Sequence, residues 1–142
     1  MLLLDVNVVL AMHRQDHPQH SPVRAWFDQV VENGEDFGVP LTVWGSFLRI
    51  TTNRRVFKVP TPLHDAFTFI DALRGQPGHI QLEPGIRHLV LLQRIAERSD
   101  AYGDLVPDVV LAAIAAEAGA KVASLDRDFA RIADIEVVRP VQ

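Results

Sequence analysis

Short apolar runs that stop at acids alternate, along the whole chain, with stretches of helical periodicity. Leu2-Leu3-Leu4 ends at Asp5, and Lys121-Val122-Ala123-Ser124-Leu125 ends at Asp126, with Asp128 just beyond. Each run reads as a short buried strand. Ser21-Pro22 gives a cap and first-turn signal ahead of Val23, Trp26, Phe27, Val30 and Val31, a helical pattern stopped by Asn33-Gly34. Phe37 to Val39 predicts another short strand, and Thr42 is a cap for a helix burying Val43, Phe47, Leu48 and Ile50. Thr61-Pro62 precedes Leu63, Ala66, Phe67, Ile70 and Leu73, a helix closed by Arg74-Gly75. His79 to Leu82 is a strand candidate, and Ile86, Leu89, Val90, Gln93 and Arg94 mark a helix that ends before the polar stretch Ser99 to Asp104. Pro107 opens a small-residue helix through Ala112, Ala113, Ala115 and Ala116 to Gly119, with Asp108 in its first turn, near the positive end of the helix dipole. A short helix from Asp128 to Ala133 and an edge strand from Glu136 to Val138 complete the pattern.

Strands separated by helices pair in parallel through right-handed crossovers, so the expected fold is a three-layer α/β/α sandwich with a mainly parallel central sheet, formed as a single domain over residues 1–142. Ligands of such sheets bind outside the carboxyl ends of the strands. Asp5, Asp108, Asp126 and Asp128 are therefore expected to converge in one crevice and to hold a divalent metal. The chemistry suits the residues: Mg²⁺ is a hard cation that takes oxygen ligands and keeps several waters beside one or two carboxylates.

Composition narrows the setting. With 48% hydrophobic and 23% charged residues the chain is that of a soluble globular protein. No window approaches the roughly 20 apolar residues that cross a bilayer, so no membrane association is expected. Cysteine is absent, which rules out disulfides and thiolate metal sites and suits a cytoplasmic location. The net charge of −4 argues against a general nucleic-acid coat, yet bound cations would reverse the sign of an acidic crevice. Arg49, Arg54, Arg55 and Lys58 fall in one stretch and form a candidate wall for RNA or for an acidic partner, or else a solvated face. His13, His17 and His20 have suggestive spacing, but Pro18 interrupts any helix that would align the first two.

An initial strand ending in Asp-x-Asn, a late Asp at the head of an Ala-rich helix, and a strand leading into Ser124-Leu125-Asp126-Arg127-Asp128-Phe129 together resemble a PIN-domain ribonuclease, most of all the VapC-type toxins of bacterial toxin–antitoxin pairs. The resemblance extends to Leu3-Leu4-Asp5-Val6-Asn7, to the segment from Phe47 to Phe57, and to the segment from Asp104 to Ala113. It implies a Mg²⁺- or Mn²⁺-dependent endoribonuclease that hydrolyses RNA with metal-activated water, is held in check by a cognate antitoxin, and forms a homodimer. Metal-binding roles carry over to Asp5, Asp108 and Asp126, with Asp128 as the remaining acid of the catalytic set. Asn7, Ser46 and Ser124 are expected in support: Asn7 steadying Asp5 or a bound water, Ser124 steadying Asp126. The chain departs from the family pattern at Ser46, which stands where many PIN domains carry Glu. That departure admits a second reading, a PIN-like module that binds RNA or protein without cutting. A third, an aspartyl nucleophile at Asp5, needs a lysine near the site, and Lys121 begins its strand at the wrong end of the sheet.

Overall fold

In a computed structural model describing residues 1–142, four short strands form one parallel sheet: β1 (Leu2–Leu4), β2 (Phe37–Gly38), β3 (Lys121–Ala123) and β4 (Val137–Val138), in the order β2-β1-β3-β4. The register sets Leu2 beside Phe37 and Lys121, and Leu4 beside Ala123. Ladder bonds continue past the strand ends, from Asp5 N–H to Ala123 O at 3.0 Å and from Ser124 N–H to Val138 O at 3.1 Å. Because all pairs are parallel, Asp5 and Ser124 emerge on the same edge.

Six α-helices cover the sheet to make the α/β/α sandwich: α1 (Val6–His13), α2 (His20–Glu32), α3 (Leu41–Thr51), α4 (Leu63–Arg74), α5 (His88–Arg98) and α6 (Val106–Ala118). Helix α6 packs against β1 and β3 and carries α5, while α1 packs against α2 and α3. Ala112, Ala113 and Ala115 are fully buried, so their small side chains let the α6 backbone approach its neighbours. The helix ends at Gly119, whose φ of +69° closes the last turn in the left-handed region that favours glycine. Phe27 of α2 meets Phe37 of β2 edge to face with ring centroids 5.0 Å apart. One contiguous core results, with Leu3, Leu4, Val8, Val9, Phe37, Phe47, Val109 and Phe129 at its centre.

Several expectations need correction. Helix α1 carries no periodic signal, because its buried residues Val8 to Met12 are consecutive and show no apolar spacing. Segment His79 to Leu82 is not a strand: it makes a single bridge, His79 to Phe37, supported by Ile80 N–H donating to Phe37 O at 2.8 Å. Strand β2 is itself short and runs into Pro40, which has no N–H to extend a ladder. The approach is close all the same; a Cβ on Gly38 would lie 2.7 Å from Ile80 O. On α5 the buried residues are Leu91 and Ile95, whereas Leu89 and Val90 face solvent and Ile86 precedes the helix. The expected helix from Asp128 is a 3-10 turn over Arg127–Arg131. The cap positions also differ: α2, α3 and α4 follow Gln19, Pro40 and Pro62 without side-chain caps. Thr61 instead places its hydroxyl within 2.9 Å of both the Thr51 hydroxyl and His13 Nε2.

Candidate active site at the carboxyl edge of the sheet

Asp5 is the buried anchor of the site. It follows β1, caps α1, and accepts the Val6 N–H on Oδ1 at 2.7 Å. Its Oδ2 accepts two side-chain donors, the Ser124 hydroxyl at 2.7 Å and the Asn7 amide at 3.1 Å. Burial raises its carboxyl above the ordinary carboxylate range; the Ser124, Val6 and Asn7 donors pull the other way, and the charge of Asp126 adds to the rise. Asn7 also donates to Ser124 Oγ at 3.1 Å and accepts the Leu125 N–H at 2.9 Å, tying the loop after β1 to the loop after β3.

Ser124 serves a different carboxylate from the one expected. Its hydroxyl proton goes to Asp5, and its oxygen accepts the backbone N–H of Asp126 at 3.0 Å, so it orients the Asp126 main chain rather than its acid. Asp126 in turn caps the 3-10 turn through Oδ1, which accepts the Asp128 N–H at 2.8 Å. Asp126 and Asp128 are exposed.

Asp108 sits in the first turn of α6, half-buried, where two cavities meet. One, of about 320 Å³, is shared by Asp5, Thr42, Ser46 and Asp108; the other, of about 510 Å³, by Asp104, Asp108, Asp126 and Asp128. Burial first, and then the charges of Asp5, Asp126 and Asp128, push the Asp108 carboxyl up to about 6. Asp108 thus lies within the field of the other three acids. No set of three or more carboxylate or imidazole side chains encloses a cation position by itself.

Ser46 lies beside Asp5 and Asp108 on the α3 wall of the smaller cavity. Asp104, exposed at the end of the polar stretch that begins at Ser99, lines the larger cavity, as do Tyr102 and Arg131; loop residues without periodicity gave no signal for them. The basic stretch is not part of either cavity: Arg49 is exposed on α3, and Arg54, Arg55 and Lys58 are exposed in the loop that follows. The histidines are separated by their contacts. His13 packs between Phe47 and Phe69, His17 Nδ1 accepts the Gln19 N–H, and His20 Nδ1 lies 2.8 Å from Ala11 O. Lys121 begins β3, at the end of the sheet away from Asp5, and pairs with Glu136 at 2.8 Å. No helix is long and apolar enough to cross a membrane.

Such a crevice places the chain among the α/β proteins whose chemistry sits on the carboxyl edge of a parallel sheet. The family described as PIN domain matches residues 2–135. Ribonuclease VapC25 of Mycobacterium tuberculosis is 55% identical over 140 residues, with 99% of each chain covered. Ribonuclease VapC31 of the same organism is 53% identical over 140 residues, again with 99% of each chain covered. Among solved structures, VapBC2 from Rickettsia felis, bound to a DNA fragment from its promoter, gives a TM-score of 0.70 over 97% of each chain at 11% identity, a likeness of fold. The chain belongs to the PIN domain family.

Proposed function

We propose that this protein is the toxin of a toxin–antitoxin pair, an endoribonuclease that hydrolyses RNA phosphodiester bonds with the help of Mg²⁺, for which Mn²⁺ substitutes. The ribonuclease reading is supported by the names of the relatives that share more than half of the aligned residues. The antitoxin partner is supported by the likeness to a VapBC assembly. A homodimer is proposed on the family resemblance, and the exposed Arg49, Arg54, Arg55 and Lys58 are offered as a contact for RNA or antitoxin.

The observation that carries the metal requirement is the position of Asp108, whose carboxyl is pushed up to about 6 by its burial and by three other acids. Its place where the cavity of Asp5 and Ser46 meets the cavity of Asp126 and Asp128 gathers oxygen donors around one crevice, which suits a cation. The donor set is all oxygen, as a hard ion that keeps part of its water shell requires. Asp5, Asp108 and Asp126 would hold it, with Asp128 completing the negative field. Bound there, the ion would supply an activated water and charge stabilisation at the phosphate. The chain does the rest. Ser124 and Asn7 fix the Asp5 carboxylate in one orientation, and the Ser124 oxygen holds the Asp126 main chain. Ser46 presents a hydroxyl to the same cavity as Asp5 and Asp108, able to hydrogen-bond a bound water.

The test is RNA cleavage by the purified protein in Mg²⁺ or Mn²⁺, loss of cleavage in EDTA, and loss with Asp108→Asn. Cleavage undiminished by EDTA would contradict the metal requirement. A clean protein that binds RNA and never cuts it would support instead the binding-module reading raised by Ser46.

A further inference from the structure

The larger cavity holds more than acids. Tyr102 and Arg131 share its wall with Asp108, Asp126 and Asp128. Tyr102 is the only tyrosine of the chain and is 75% exposed, whereas Phe27, Phe37, Phe47 and Phe129 are buried in the core. It enters none of the aromatic pairs of the structure. Arg131 is exposed and takes part in no salt bridge, although carboxylates line the same cavity. A free ring and a free guanidinium thus stand on one cavity wall.

Both are held on ordered supports. Tyr102 precedes the 3-10 turn Gly103–Leu105, which starts at Gly103 with φ of +58° and is pinned by buried Leu105. Arg131 ends the turn Arg127–Arg131, pinned by Phe129 and Ile132 in the core. The cavity, at about 510 Å³, falls within the roughly 300–1,000 Å³ typical of small-ligand sites. A phosphate entering a field of four carboxylates needs a local cation, and a guanidinium offers a planar fork of donors that matches phosphate oxygens. Single-stranded RNA is commonly gripped by this pair of devices, an aromatic face for the base and a cation for the backbone.

We propose that Tyr102 and Arg131 form a nucleotide subsite beside the acids. The base of a nucleotide next to the scissile bond stacks on the Tyr102 ring, and Arg131 takes the phosphate oxygens adjacent to it. This rests on the ribonuclease reading and adds how the substrate is positioned. It also makes the loop from Tyr102 to Leu105 a determinant of which RNA is accepted.

The experiment measures binding of fluorescein-labelled single-stranded RNA of about ten nucleotides, oligoadenylate and oligouridylate in parallel, by anisotropy at low salt in Mg²⁺. The Asp108→Asn background prevents cleavage. Adding Tyr102→Ala should weaken binding about 5- to 150-fold, the range for losing one base–aromatic stack, and Tyr102→Phe should restore it, since the ring and not the hydroxyl carries the contact. Adding Arg131→Gln should reduce the slope of log K against log salt by about 0.7, one phosphate contact on a single strand. Both residues are exposed, so unchanged melting temperatures confirm intact folds. Binding that is indifferent to Tyr102→Ala, or weakened equally by Tyr102→Phe, would overturn the subsite while leaving the ribonuclease reading intact. No binding and no cleavage of any RNA by the unmutated protein would overturn both.

Discussion

The hydroxyl of Ser124 donates to Asp5 Oδ2 at 2.7 Å, joining the loop after β3 to the loop after β1 across 119 residues of sequence. Both residues are buried, so this bond sets the orientation of the most enclosed carboxylate of the site. Its removal should be felt in stability and in the pH at which stability changes.

Ser124→Ala leaves Asp5 Oδ2 with the Asn7 amide alone and should cost about 1–3 kcal/mol, the penalty of an under-satisfied buried acceptor. Asp5 already has a carboxyl raised in the folded state, and losing a donor raises it further. A group raised on folding contributes stability that is complete below its unfolded pKa of 3.8 and is lost as pH rises through the folded value. The destabilisation by Ser124→Ala should therefore be larger at pH 8 than at pH 4. Denaturant melts of both proteins at the two values check this; an equal loss at both would mean that Ser124 acts through packing and not through the Asp5 charge.

Asp108 gives the same sign with a stated window. Its carboxyl lies at about 6 in the fold against 3.8 for the ordinary group, so its share of metal-free stability is full below 3.8 and declines as pH rises to about 6 and beyond. Asp108→Asn has no charge to lose. In EDTA it should melt equal to or above the wild type at pH 8, with the difference shrinking toward pH 4. Metal binding should recover stability in the wild type, by about 2.7 kcal/mol at one hundred times Kd if the unfolded chain does not bind, and that rise should shrink in Asp108→Asn. A variant that melts lower in EDTA yet keeps the full metal-induced rise would show that Asp108 is a helix-start residue and nothing more.

Ser46 shares its cavity with Asp5 and Asp108, so Ser46→Glu should place a third carboxylate beside these two. Calorimetry with Mn²⁺ should find tighter binding in the variant. In EDTA the same variant should be less stable, because like charges held at about 4 Å oppose each other by roughly 4 kcal/mol at an effective dielectric of 20. Unchanged metal affinity would contradict a role for this position at the metal.

How much of this was legible in sequence depends on the kind of signal each residue carries. Asp5 and Asp126 could be read because each ends an apolar strand run, and Asp108 because Pro107 and an alanine-rich helix announce its place. Helix α1 was not legible: Val8 to Met12 are buried on all sides, which erases the amphipathic period. The α5 face was misread because exposed Ile86, Leu89 and Val90 fit a helical spacing as well as buried Leu91 and Ile95 do; packing on α6 decides between them. The partner of Ser124 was missed for a geometric reason. Its hydroxyl turns across the parallel ladder to Asp5, a neighbour in the sheet, and not along the chain to the Asp126 carboxylate. Tyr102, Asp104 and Arg131 lie in turns where no period exists to point toward the cavity.

The central claim is hydrolysis by water at a carboxylate-held metal, and the ends of the RNA products test it most directly. If water attacks the phosphorus and the P–O3′ bond breaks, the ribose 2′-hydroxyl takes no part, the 3′-oxygen leaves and is protonated, and the products carry 5′-phosphate and 3′-hydroxyl ends, formed in Mg²⁺ or Mn²⁺ and not in EDTA. Mass spectrometry of a cleaved oligoribonucleotide distinguishes the outcomes. The account predicts 5′-phosphate and 3′-hydroxyl; 2′,3′-cyclic phosphate ends would show that the ribose is the nucleophile and would contradict it.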